Sequence, residues 1–103
     1  MLFMVIERFL GNVEAIYARA AESGRLLPDG VEYVDSWVDV GMGRCFQLMS
    51  APDAAMLALW AARWADLADL EIVPVVTSAD AAAAVRARTL PSSADDDAPF
   101  GHS

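Results

Sequence analysis

The segment from Val31 to Met49 constrains the fold of this chain more than any other. Val34, Ser36, Val38 and Val40 alternate with Tyr33, Asp35, Trp37 and Asp39, the period-two pattern of a strand. Arg44 to Met49 reads as a second strand, and only Gly41-Met42-Gly43 separates the two. So short a glycine-containing link predicts a β-hairpin. A hairpin commits the chain to an antiparallel sheet.

The flanking segments supply the remaining elements. Met1 to Phe9 is a nearly continuous apolar run, which predicts a strand buried on both faces. Gly11 and Asn12 end it, with Asn12 as the helix N-cap. Val13, Ile16, Tyr17 and Ala20 then recur at helical spacing, and Gly24 fits the position just past the helix end. After the hairpin, Ser50 and Asp53 frame a helix start with Pro52 in its first turn. Met56, Trp60, Trp64 and Leu67 form the stripe of that second helix, and both tryptophans read as core. Leu70 to Val76 predicts a fourth strand, placed at an edge because Pro74 has no N–H to give a ladder. Thr77 and Asp80 resemble a capping box for a short alanine-rich helix from Ala79 to about Arg88. The order is β-α-β-β-α-β plus a C-terminal helix: an α+β, ferredoxin-like domain over residues 1–90 with both main helices on one face of the sheet. Pro91 to Ser103, with Asp95-Asp96-Asp97, reads as a disordered acidic tail.

Composition narrows the partners. The net charge is −8, there is no lysine, and all seven basic residues are arginines. Nucleic acid and anionic membrane surfaces draw on clustered cations, so neither is expected. Schiff-base chemistry needs a lysine and is excluded. The single cysteine, Cys45, rules out an intrachain disulfide. No apolar run approaches the roughly 20 residues of a membrane span. The N-terminal segment lacks the basic region and cleavage site of a signal peptide, so a cytoplasmic location is expected. The only histidine, His102, lies in the tail. That removes histidine bases, triads and histidine-held metal or haem from the folded body, and no metal or other cofactor is expected.

Apolar residues make up 56% of the chain, above the usual share of about 45–50%. A four-stranded sheet with helices on one side leaves its other face bare, and such an apolar face marks an interface. With Val34, Val38, Phe46 and Leu48 turned to the helices, the bare face would carry Tyr33, Asp35, Trp37, Cys45, Gln47 and Met49. The first strand would add Phe3, Val5, Glu7 and Phe9, or the alternate set. Two copies packed sheet to sheet would cover this face and enclose a cavity, so a homodimer is expected.

Tyr33-Val34-Asp35-Ser36-Trp37-Val38, Arg44-Cys45-Phe46-Gln47-Leu48-Met49, the Trp60 and Trp64 helix and Glu71-Ile72-Val73-Pro74-Val75 together resemble an uncharacterised domain-of-unknown-function family of short bacterial proteins. The resemblance covers about Met1 to Ala84. More distantly, the layout is similar to the dimeric α/β-barrel superfamily of small monooxygenases, muconolactone-isomerase-like proteins and stress-response barrels. The near family implies no activity; the distant one implies a fold and a dimer but no particular reaction.

Glu7 and Asp35 are the candidate acid/base residues, since each lies in an otherwise apolar strand where burial raises a carboxyl pKa. The competing reading pairs each with an arginine such as Arg8, Arg44 or Arg63, or leaves it solvated. Tyr33 and Trp37, with Cys45 and Gln47 on the same predicted face, are candidate ligand-binding residues. The competing reading for the aromatics is dimer packing. Cys45 also reads as a small buried hydrophobe, because no base accompanies it. Two functions follow: a module that binds a small apolar molecule between the sheets, or a cofactor-free isomerase or monooxygenase acting on a small aromatic or polyketide-like substrate.

Overall fold

Each helix begins where a polar side chain replaces the missing backbone acceptor. In the computed structural model, which describes residues 1–89, the Asn12 side chain accepts from Ala15 N at 3.1 Å and opens α1 (Val13–Ser23). Asp53 accepts from Met56 N at 3.0 Å and opens α2 (Ala54–Ala62). Pro52 therefore stands just before this helix, outside its first turn. Thr77 Oγ1 accepts from Asp80 N at 3.0 Å and opens α3 (Ser78–Thr89). α1 ends at Gly24, whose φ of +70° belongs to the region that glycine enters at least cost. The expected tail and His102 lie outside the described residues.

Four strands, β1 (Leu2–Phe9), β2 (Glu32–Val38), β3 (Arg44–Ser50) and β4 (Ala68–Val75), form one antiparallel sheet in the order β2-β3-β1-β4. With the helices interleaved as β-α-β-β-α-β-α, this is a ferredoxin-like α+β fold. β4 is an edge strand, as Pro74 requires. The β2–β3 hairpin turns through Asp39: its carbonyl accepts from Met42 N at 2.7 Å and its carboxylate from Gly41 N at 3.0 Å. Among the described residues no helix is long and apolar enough to cross a membrane.

Two details depart from the sequence reading. α2 stops at Ala62, before the predicted stripe ends. Arg63 N and Trp64 N bond to the carbonyls of Trp60 and Ala61. These tighter i→i+3 bonds wind the chain out of the helix in time for β4 to start at Ala68. Trp64 is thus buried from a turn.

The second departure concerns which face of β3, and which side of β2 at Tyr33, meets the helices. Register places Tyr33, Met49, Phe3 and Pro74 in one row across the four strands; Ser36, Gln47, Val5 and Ile72 form the next, and Val38, Cys45, Glu7 and Leu70 the third. Phe3, Val5 and Met49 belong to the core cluster with Leu57, Trp60 and Trp64, so these three rows face the helices. Phe46, Leu48, Asp35 and Trp37 share the opposite, bare face with Leu2, Met4 and Ile6. A register shift between Tyr33 and Asp35 lets Tyr33 and Ser36 occupy the same face although they are three residues apart. The predicted orientation of β3 is therefore inverted; in β2 Asp35 and Trp37 keep the expected bare face and Val38 the helix face, while Tyr33, on the other side of the bulge, turns to the core. Both residue sets of β3 and β1 are largely apolar, and the packing of α2 selects between them.

Along the helix face, composition changes from one end to the other. The row at Phe3 and Met49 is apolar and is sealed by Leu57 and Trp60, while the row at Glu7 and Cys45 is polar. Leu57→Ala is expected to cost about 3 kcal/mol in urea denaturation, the range for emptying a sealed core site. Leu59→Ala, on the exposed side of α2, is expected to change stability by less than about 0.5 kcal/mol.

Candidate functional site

The polar end of the helix face opens into a cavity of about 320 Å³, within the range of small-molecule sites. β1 contributes Glu7 and Phe9, and β2 and β3 contribute Ser36, Val38, Cys45 and Gln47. Ile16, Tyr17 and Ala20 come from α1, Trp60 and Trp64 from α2 and the turn after it, and Gly24 and Arg25 from the loop between α1 and β2. Alternation puts Glu7 and Phe9, and likewise Cys45 and Gln47, on one side of their strands. Cross-strand pairing sets Glu7 directly opposite Cys45, with Gln47 diagonal to it.

Loop residue Arg25 is fixed by its backbone. Its carbonyl accepts both indole N–H groups, from Trp60 at 2.8 Å and Trp64 at 3.0 Å, using both lone pairs. Its guanidinium lies over the Tyr33 ring, 3.6 Å from the centroid. The Tyr33 hydroxyl shares a 2.7 Å hydrogen bond with Ser36 Oγ. Arg63 donates to the Leu26 carbonyl at 2.6 Å. α1 is tied down separately: Arg19 forks onto Asp66 at 2.8 and 2.6 Å and reaches the Arg63 carbonyl at 3.1 Å.

Glu7 is 6% exposed and Gln47 is 7% exposed. Burial pushes the Glu7 carboxyl above its ordinary pKa of 4.5; hydrogen bonding from Gln47 and Cys45 and the positive charge of Arg25 act weakly against this. The Cys45 thiol is pushed up to about 12, first by burial and then by the adjacent Glu7. It therefore stays protonated and is no nucleophile at neutral pH. Gln47 Oε1 is buried with no hydrogen-bond partner, a condition that costs about 1–3 kcal/mol. Among the described residues, no three His, Cys, Asp or Glu side chains are grouped to hold a metal ion.

Of the six residues singled out from sequence, three meet here: Glu7, Cys45 and Gln47. Tyr33 shares their face but braces Arg25 and Ser36 from the side. Asp35 and Trp37 do not reach the cavity, because the bulge turns them to the bare face. Asp35 is exposed, with its carboxylate accepting from Ser36 N at 2.8 Å, and Trp37 is 51% exposed. The arginines offered as partners are engaged elsewhere: Arg8 with Glu71, Arg44 with Asp39 and Arg63 with Leu26. No salt bridge reaches Glu7 among the described residues. Sequence reading missed Arg25, Ser36 and the cavity role of Trp60 and Trp64. The available signal was the polar handle of two tryptophans one helical turn apart, which a buried indole has to satisfy. The cavity itself lies between the sheet and its helices, on the opposite side from the expected inter-sheet space.

A family model described as Domain of unknown function (DUF3303) matches residues 1–89. The chain belongs to the DUF3303 family. No curated protein and no solved structure matches it. In this DUF3303 domain, the matched residues contain every cavity-lining side chain.

The raised Glu7 pKa has a direct consequence for stability. In the pH range between its ordinary value and its raised one, the folded protein binds more protons than the unfolded chain. The contribution of Glu7 is thus intact below pH 4.5 and is lost as pH rises through the raised value. Glu7→Gln is expected to melt higher than the wild type at pH 8 and to narrow or reverse that gap at pH 4. Parallel melting curves at the two pH values would contradict the burial argument.

Proposed function

We propose that this domain is a binding module for a small, largely apolar molecule, held between the helix face of its sheet and helices α1 and α2. One observation carries the reading: Glu7 and Gln47 are both buried in a cavity walled by Phe9, Ile16, Trp60 and Trp64. Burying a carboxyl and an amide without full partnering costs stability. An apolar pocket with a few convergent polar groups is the usual form of a ligand site. Ligand-observed NMR with a panel of neutral one- and two-ring aromatic fragments tests it. Several fragments are expected to bind the wild type, and Ala20→Phe, which fills the cavity from α1, is expected to abolish their signals. Fragments that bind both proteins equally would rule this cavity out.

The working unit in this reading is a homodimer. The bare face presents Leu2, Met4, Ile6, Phe46, Leu48, Val73 and Val75, all partly exposed, beside Trp37. A contiguous apolar surface of this kind fits a self-complementary, two-fold interface. Sedimentation velocity at micromolar concentration is expected to give a dimer, and Leu48→Asp a folded monomer. A wild-type monomer would refute the dimer without touching the cavity.

A second reading is favoured by Glu7 itself. A buried carboxyl whose pKa is raised by burial, with no salt bridge among the described residues, is suited to proton transfer. It would act in a cofactor-free isomerisation or oxygenation of a small aromatic or polyketide-like substrate. A substrate whose turnover vanishes in Glu7→Gln while its binding persists would select this reading over simple binding.

A further inference from the structure

The polar groups around the cavity are nearly all spent on one another. Both indole N–H groups go to the Arg25 carbonyl. The Tyr33 and Ser36 hydroxyls satisfy each other. The Arg25 guanidinium is stacked on Tyr33. Gln47 and Cys45 both turn toward Glu7. Among the described residues one buried side-chain atom is left over: Gln47 Oε1, which has no partner. Gln47 is more than nine-tenths buried and lines the cavity.

We infer that the ligand of this cavity carries a hydrogen-bond donor, a hydroxyl or N–H on a neutral two-ring body, which Gln47 Oε1 accepts. This rests on reading the cavity as a binding site. The donor follows from the orphaned acceptor, because a buried carbonyl oxygen is satisfied only by an N–H or O–H. Neutrality follows from the neighbours: the lone pairs of Gln47 Oε1 and the Glu7 carboxyl disfavour an anion, and the Arg25 guanidinium, which lines the same cavity, disfavours a cation. Size follows from volume. A sealed apolar cavity of about 150 Å³ holds one benzene ring, and this one is roughly twice as large.

The test uses two probes of nearly equal shape, 2-naphthol and 2-methoxynaphthalene, of which only the first can donate. Binding to the whole chain is followed through the Trp60 and Trp64 indole N–H signals by NMR titration. On the wild type, 2-naphthol is expected to bind about tenfold tighter or more, the usual scale for leaving a buried polar group unpaired. In Gln47→Met, close in shape but with no acceptor oxygen, that ratio is expected to fall to about one while the ether still binds. Gln47→Leu serves if the methionine variant does not fold. Equal affinities on the wild type would overturn the donor inference and leave the cavity reading standing. A preference that survives undiminished in a folded Gln47 variant would overturn the role of Gln47. Failure of both probes to bind the wild type would overturn the inference and the cavity reading together.

Discussion

Two indole N–H groups converging on the Arg25 carbonyl hold the rest of this site in place. A loop carbonyl drawn inward needs a partner, and two buried tryptophans need acceptors. Each solves the other's problem, and the loop leaving α1 is thereby pinned to α2. Leu26 follows immediately with φ of +61°, a conformation costing a non-glycine residue about 1–2 kcal/mol. The Arg63 bond to its carbonyl and its packing against the core keep it there. α1 has no fully buried residue, and polar ties, chiefly Arg19 to Asp66, help secure it over the sheet. A helix fixed by such ties is under less pressure to collapse onto the strands. The cavity lies beneath it, lined by its Ile16, Tyr17 and Ala20.

Element order was legible in the sequence because each boundary has a local chemical cause. Asn12, Asp53 and Thr77 cap helices through their own side-chain oxygens. Gly24 ends one, and Pro74 marks an edge. None of these needs information from elsewhere in the chain. Sheet orientation does, and there local reasoning failed for β3 and for Tyr33. In β1 the set Leu2, Met4, Ile6 is as apolar as the set Phe3, Val5. In β3, Phe46 and Leu48 look better suited to a core than Cys45 and Gln47. A period-two pattern identifies a strand, but with two apolar faces it does not say which one meets the helices. Leu57 and Trp60 decide that by packing on Phe3, Val5 and Met49. The bulge after Tyr33 then uncouples Tyr33 from Asp35 and Trp37, which a strict alternation keeps together.

The site was legible to the same extent and for related reasons. Glu7 stood out as a charge in an apolar strand, and that needs only the sequence to see. Cys45 and Gln47 accompany it because cross-strand register brings them opposite and diagonal to it. Asp35 looked equivalent to Glu7, yet one extra residue in β2 sends it to the other face. Arg25 gave no signal at all. Its importance lies in its backbone carbonyl, and no residue type announces a carbonyl.

The helix face of the sheet divides its work along the strands. At the Phe3–Met49 row the side chains are apolar and the space is filled. Two rows away, Glu7 and Cys45 replace what a purely stabilising core would make apolar, and the space stays open. A carboxyl kept above its ordinary pKa by burial and a carbonyl oxygen without a partner both oppose folding. Chemistry that weakens a small domain is retained most readily where it serves a function. Both polar penalties fall at the same end of the same face, next to the same cavity, while the bare face of the sheet carries its apolar surface in a separate place. The two features therefore lie on opposite faces of one sheet, and a substitution on the bare face leaves the lining of the polar pocket unchanged.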